Sequence, residues 1–277
     1  MKNYILVIAT LFVFQNEITA QNKKEDNLIE NETLLKVEYN EVSTYIQGIV
    51  NNDKALLYIS DDFTFCKTNF NFDNSNSEKL QDKLENVAVI EANPEDYFSE
   101  IYVNRKENTL IEYLVESKVL KKRFAVEEKK PEMQWVHLDG RKKIGGYSCE
   151  KAKTTFRGRT YEVWYTSDIA VSSGPWKFNG LPGLILSVKD LEGIYSWEAT
   201  SIKTIKNSEF NLSNYLDNKT MYTEISYKDF DEEVINAQIE RKKVQKARTN
   251  ADFEISFSTN QDKEPINEWR TQTYFEF

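Results

Sequence analysis

The chain is short of the residues on which most covalent and cofactor chemistry depends. A single histidine, His137, stands in 277 residues, so a Ser-His-Asp or Cys-His mechanism would have to run through it. It lies in MQWVHLDG, an alternating strand-like stretch, and no G-x-S-x-G nucleophile elbow occurs in the chain. Two cysteines, Cys66 and Cys149, and one histidine are too few for a zinc cage without carboxylates. There is no Gly-Lys-Ser/Thr phosphate cradle and no D-x-D-x-D-G calcium loop. No catalytic, cofactor or metal site is therefore expected. Net positive charge is also missing: 36 basic against 45 acidic residues give −9, which argues against nucleic acid and against an anionic membrane surface.

Long apolar runs are equally scarce. The apolar stretch at residues 4–14 is too short to span a bilayer, and no later segment is longer. With Lys2 before it and Ile18-Thr19-Ala20 after it, residues 1–20 read as a secretory signal peptide. Gln21, not cysteine, follows the expected cleavage site, which disfavours a lipoprotein. The reading is an exported, periplasmic or outer-membrane-associated protein with no transmembrane span. In that oxidising setting Cys66 and Cys149 could pair, closing a long loop worth about 4 kcal/mol in chain entropy. Two separate buried thiols are the other reading.

Hydrophobic residues at 40% and aromatics at 13% describe a globular, β-leaning chain. Residues 21–33, QNKKEDNLIENET, are charged and read as a flexible leader, and residues 34–277 as a single β-rich domain. Short runs rich in β-branched and aromatic residues recur from TLLKVEY to IYSWEATSIKTI, which predicts a mostly antiparallel sheet. In RTYEVWYT, Tyr161, Val163 and Tyr165 share one face and Glu162 and Trp164 the other. Hairpins are expected at Arg157-Gly158 and at Leu191-Glu192-Gly193. KTNFNFDNSNSEK, residues 67–79, reads as a long loop. Residues 226–248 break the pattern: Phe230, Val234, Ala237 and Val244 fall at helical spacing, Ser226 can cap the start, and acids precede bases as the helix dipole favours. The basic run from Arg241 to Arg248 is read as a solvated face. Ile235 and Ile239 fall on the opposite side.

The scarce glycines and prolines are concentrated. Gly174, Pro175, Gly180, Pro182 and Gly183 lie in the stretch SSGPWKFNGLPGLILSVKD, residues 172–190, of a chain with nine glycines and five prolines. One reading has tight turns returning the chain between two strands, with Trp176, Phe178, Leu181 and Leu184 packed beneath. The other has a stiff loop displaying Trp176, Lys177 and Phe178, with Leu181 and Pro182, to a partner at low entropic cost. Acids are abundant, with the densest cluster outside the helix at residues 91–100, which leaves open a hydrolase with two facing carboxylates.

Residues 145–190, GGYSCEKAKTTFRGRTYEVWYTSDIAVSSGPWKFNGLPGLILSVKD, resemble the signature of the GLPGLI family of secreted proteins of Gram-negative bacteria. Gly180-Leu-Pro-Gly-Leu-Ile185 is its hexapeptide, flanked here by a strand at Trp135 to Leu138 and another at Tyr195 to Trp197. The resemblance implies an exported protein that works with envelope systems such as TonB-dependent receptors, and it brings no catalytic residues. The strand order also resembles the open half-barrels of outer-membrane lipoprotein carriers. The expectation is a mainly β (α+β) fold: a curved antiparallel sheet or open half-barrel with at least one packed helix. Functionally it is a non-enzymatic envelope protein that binds an outer-membrane or periplasmic protein. The alternatives are a carrier of a lipid or other apolar small molecule on a face lined by Tyr161, Val163 and Tyr165, and the carboxylate hydrolase.

Overall fold

The structure, a computed structural model, describes residues 33–44, 50–69, 98–114, 122–216 and 221–249. The expected signal peptide lies outside the described residues, as do the leader apart from Thr33, the Asn-rich loop beyond Asn69 and the acidic cluster before Phe98. Twelve strands are described: β1 (Thr33–Thr44), β2 (Val50–Ile59), β3 (Phe63–Asn69), β4 (Phe98–Asn104), β5 (Thr109–Leu114), β6 (Phe124–Lys129), β7 (Val136–Ile144), β8 (Tyr147–Phe156), β9 (Arg159–Thr166), β10 (Leu184–Asp190), β11 (Tyr195–Lys206) and β12 (Thr223–Ser226). They form one sheet in the order β12-β6-β5-β4-β3-β2-β1-β11-β10-β9-β8-β7. Two antiparallel meanders meet where β1 pairs with β11, and only β12 runs parallel to its neighbour, β6. The fold is mainly β with an open sheet, as the recurring strands predict.

The sheet curls. Arg157, at the β8–β9 turn, forms an ion pair with Glu128 on β6, although β5, β4, β3, β2, β1, β11 and β10 lie between β6 and β9. Laid flat, that separation would be roughly 38 Å at the usual interstrand spacing. Its closing over the inner face defines the half-barrel. The inner face carries most of the core: Val37, Tyr39, Leu57, Ile101, Leu110, Tyr161, Val163 and Trp197 are all buried in one cluster.

Local chemistry explains the turns. Arg157 and Gly158 both take positive φ, 44° and 87°, the conformation that a two-residue hairpin between twisted strands requires. Between β10 and β11, Gly193 at φ 74° does the same work. The alternation in β9 is as expected, with Tyr161, Val163 and Tyr165 buried and Glu162 and Trp164 half-exposed. On the outer face a smaller aromatic cluster forms from Leu34, Tyr58, Phe65 and Phe210.

A short helix, α1 (Ser213–Leu216), and a long one, α2 (Tyr227–Thr249), follow β11. The second matches the predicted helix closely. The Asp229 amide donates to Ser226 Oγ at 3.1 Å, and that hydroxyl donates to the Asp229 carboxylate at 2.6 Å, so Ser226 is the N-cap. The start of the helix is packed: Tyr227 is buried with Phe124 and Val126, and Phe230 meets Phe124 edge-on at 5.4 Å. Of the expected apolar face, Phe230, Val234 and Ala237 are half-buried, whereas Val244 is exposed, as is Ile239. The helix docks on the short β12–β6 edge.

Of the two readings for Cys66 and Cys149, the structure has the separate buried thiols and not the disulfide. Both are buried thiols with no bridge between them, Cys66 on β3 and Cys149 on β8. Cys66 Sγ instead accepts the Trp176 amide at 3.3 Å, and the Cys149 thiol donates to the Tyr147 carbonyl at 3.6 Å. Burial also pushes the Cys149 thiol above its ordinary pKa. A thiol reagent should therefore find no reactive cysteine in the native protein and both after unfolding without reductant. Loss of both signals in unreduced, unfolded protein would show a disulfide.

Candidate functional site

The glycine- and proline-rich loop between β9 and β10 fills the inner face. Trp176, Lys177, Phe178 and Leu181 are all buried, and of the five residues proposed for partner contact only Pro182 is exposed. The reading in which the loop displays its aromatic side chains is corrected accordingly: they turn inward, because this is where the sheet has an apolar surface to cover. Phe178 sits edge-on to Tyr161 at 4.9 Å and to Trp197 at 5.7 Å, and Trp176 stacks parallel to Trp197 at 6.4 Å. Phe156 closes on Trp176 from the other side at 5.8 Å. Trp176 holds φ at +53°, a conformation that bulky residues adopt only when their surroundings over-determine it.

Each punctuation residue has a local cause. An added Cβ on Gly183 would lie 2.0 Å from the Thr166 carbonyl oxygen, and one on Gly174 would lie 2.9 Å from Ile185 Cβ. Gly180 takes φ +96° beside the Trp135 ring, whose Nε1 donates to the Asn179 carbonyl at 2.8 Å. Ser172 Oγ accepts the Gly180 amide at 2.9 Å, and Asn179 Nδ2 donates to the Pro131 and Lys177 carbonyls at 3.1 and 2.9 Å. The Tyr39 hydroxyl donates to the Ile185 carbonyl at 2.7 Å, where the β10 register shifts.

The electrostatic centre is Lys177. Its Nζ lies 2.9 Å from Glu112 on β5 and 2.9 Å from Glu128 on β6, and Arg157 joins Glu128 from the β8–β9 turn. The Tyr227 ring at the start of α2 covers the group, 5.0 Å from Lys177 Nζ and 4.0 Å from the Arg157 guanidinium. Burial alone would raise the Glu128 carboxyl, but the adjacent Lys177 and Arg157 outweigh it and hold the group below its ordinary 4.5. A second group ties the buried Arg159 to the buried Asp190 and the exposed Glu192, each at 2.7 Å, and Asp190 also accepts the Tyr195 amide at 2.8 Å.

These contacts bear on the hydrolase alternative. The fold does bring acids together, but Glu112 with Glu128 and Asp190 with Glu192 each share a cation. Glu41 and Asp53 are buried opposite one another in the β1–β2 register, and Thr68 donates to Glu41 at 3.0 Å. His137 is exposed at the edge of the sheet, 3.2 Å by Nδ1 from the Tyr165 hydroxyl. That hydroxyl donates to Glu150 at 3.0 Å, so the imidazole is the donor to it. No hydrogen bond among the described residues joins His137 to a serine or cysteine. The partners of Lys177 were missed in the sequence because Glu112, Glu128 and Arg157 carry no local signal: each is an ordinary charge on a strand or turn.

Three substitutions test this arrangement. Gly183→Ala should destabilise the protein by roughly 3 kcal/mol or more in urea unfolding, because the contact it creates is with backbone that cannot rotate away. Lys177→Met should cost about 3 kcal/mol by leaving buried carboxylates without their shared cation. Since the Glu128 pKa is lower folded than unfolded, its contribution is complete above pH 4.5 and is lost as pH falls through the folded value. Glu128→Gln should therefore be less stable than the wild type near neutrality and lose less stability on acidification.

Residues 51–229, well over half of the chain, match the family described as N-glycanase peptide, N-terminal domain. Among solved structures the fold is similar to PNGF-II in a C2 and a P21 crystal form, with TM-scores of 0.51 and 0.50. Identity is 22% in both, over 74% of this chain and 33% and 34% of those chains, so the matching fold spans about a third of PNGF-II. A domain from Vibrio parahaemolyticus assigned to outer membrane lipoprotein sorting matches at TM-score 0.31 and 10% identity, over 72% of this chain and 97% of that one. No curated protein sequence matches the chain. The chain belongs to the N-glycanase N-terminal domain family.

Proposed function

We propose that the protein is a non-catalytic binding module exported to the cell envelope, where it engages an outer-membrane or periplasmic protein through its outer face and rims. The observation that carries this reading is the filled inner face: Trp176, Phe178 and Lys177 occupy the space that a half-barrel would offer to cargo. A ligand against Tyr161, Val163 and Tyr165 would first have to displace Trp176 and Phe178 and separate Lys177 from two carboxylates. An energetically self-sufficient interior leaves the exterior as the working surface.

Family membership supports a role beside glycoprotein chemistry. The name N-glycanase describes longer proteins, and this chain would contribute recognition, with bond cleavage residing elsewhere. The likeness of residues 145–190 to the GLPGLI signature is part of the same proposal, since it suggests export and envelope company. Among the described residues no helix is long and apolar enough to cross a membrane.

Gentle cross-linking in the native envelope, followed by mass spectrometry of the proteins and small molecules that co-purify, tests the proposal. The expected result is one envelope protein in stoichiometric amount, cross-linked to outer-face or rim lysines. An apolar small molecule of defined mass with no protein partner would replace the module by a carrier.

A further inference from the structure

The last strand in the sheet order, β7, is exposed almost throughout: from Val136 to Lys143 only Leu138 is half-buried, and burial resumes at Ile144. Among the described residues its one strand partner is β8, and it makes no backbone–backbone hydrogen bond outside that pairing. In such a ladder alternate residues point their amides and carbonyls away from the partner, so β7 presents a row of backbone groups that another strand can meet. The strand is also basic, with Arg141, Lys142 and Lys143 against Asp139, in a chain whose net charge is −9.

Two of the cations are available. Arg141 lies opposite Glu150 and Lys143 opposite Ser148 in the β7–β8 register, so the two share one face of β7, as does His137 opposite Ala152. Arg141 meets Glu150 at 3.9 Å with 87% of its side chain exposed, and Lys143 is exposed and joins no ion pair among the described residues. The opposite face is pinned. Gly140 lies in the bulge where the β7 register shifts, and a Cβ there would come within 3.2 Å of the Trp164 ring of β9. Lys142 Nζ rests 4.7 Å from the centroid of that ring and Lys151 Nζ 5.9 Å, while Lys151 also pairs with Glu162 at 2.9 Å. These contacts hold β7 against the sheet, so a strand added to it orders little of the protein.

We infer that β7 docks an extended acidic segment of the partner protein as an added strand, with carboxylates two residues apart facing Arg141 and Lys143. The inference rests on the reading that the exterior engages a protein, and it names the edge and the chemistry. Charge selects the occupant. A second copy joined edge to edge would bring two sets of Arg141, Lys142 and Lys143 together, and such basic residues are how edge strands avoid pairing with themselves. Acids at alternate positions reverse that repulsion, because opposite charges directly across a strand pair stabilise it. A phosphate polymer or an anionic bilayer would meet the cations but leave the outward backbone groups of β7 without strand partners. The bulge between Leu138 and Arg141 interrupts the edge, so the segment read beside Arg141 and Lys143 is short.

The test is NMR titration of the purified full chain with four probes: a peptide of alternating glutamate and valine, its lysine–valine counterpart, the glutamate peptide N-methylated along its backbone, and phosphatidylglycerol vesicles. The glutamate peptide should bind at millimolar concentration or tighter and shift the amide resonances of residues 136–144, whereas the lysine and N-methylated peptides should not. Arg141→Glu/Lys143→Glu, on exposed positions, should keep the melting temperature, bind the glutamate peptide about tenfold more weakly and accept the lysine peptide. The inference is overturned if the glutamate peptide leaves those resonances unmoved, if the N-methylated peptide binds as well, if the variant binds like the wild type, or if the vesicles alone shift them. Equal capture of an envelope partner by wild type and variant in cross-linking would also overturn it while leaving the partner reading in place. No captured protein from either would overturn that reading and the inference with it.

Discussion

Lys177 sits between Glu112 and Glu128, and much of the molecule is arranged so that it can. The carboxylates stand on β5 and β6, the lysine arrives from the loop after β9, and Arg157 reaches the same cluster from the β8–β9 turn. These elements are at opposite ends of the sheet order. Their meeting requires the sheet to curl, and once it has curled the inner face must be filled. The aromatic residues on either side of Lys177 do this, which couples an ionic tie between the two ends with an apolar plug between them. Buried ion pairs are weak sources of net stability but strongly penalise any arrangement that separates them. Here they select one curvature and one loop position.

This constraint explains the unusual backbone of residues 172–183. A loop threaded between a sheet and its own return strand has no room for Cβ atoms where backbone meets backbone, so Gly183 faces the Thr166 carbonyl and Gly174 faces Ile185. It also has no freedom to relax Trp176 from positive φ, since Trp197, Phe156 and Phe178 surround the ring. Rigidity inside leaves the exterior, with the aromatic stack around Phe210, as the surface available to a partner.

The parts of this account that were legible in the sequence are local. Alternation in RTYEVWYT, the Arg157-Gly158 turn and Ser226 as a helix cap each depend on residues within a few positions of one another, and the structure has all three. Inward packing of Trp176 and Phe178 was one of two readings, and choosing between them requires knowing what the loop covers. The partners of Lys177 were not legible, because a charge on β5 looks the same whether it meets solvent or a lysine from a distant loop. Cysteine parity left pairing and two separate thiols open for a related reason: the neighbours of each thiol, the Trp176 amide and the Tyr147 carbonyl, are set by the fold.

Hydrogen–deuterium exchange of the wild type and Lys177→Met, compared peptide by peptide, tests most directly whether the loop ties the ends of the sheet together. The account predicts that protection falls together in β5–β6 and in β8–β9, while the β1–β2 pairing at the middle of the sheet stays protected. Loss confined to residues 172–183, with both ends of the sheet as protected as before, would contradict it.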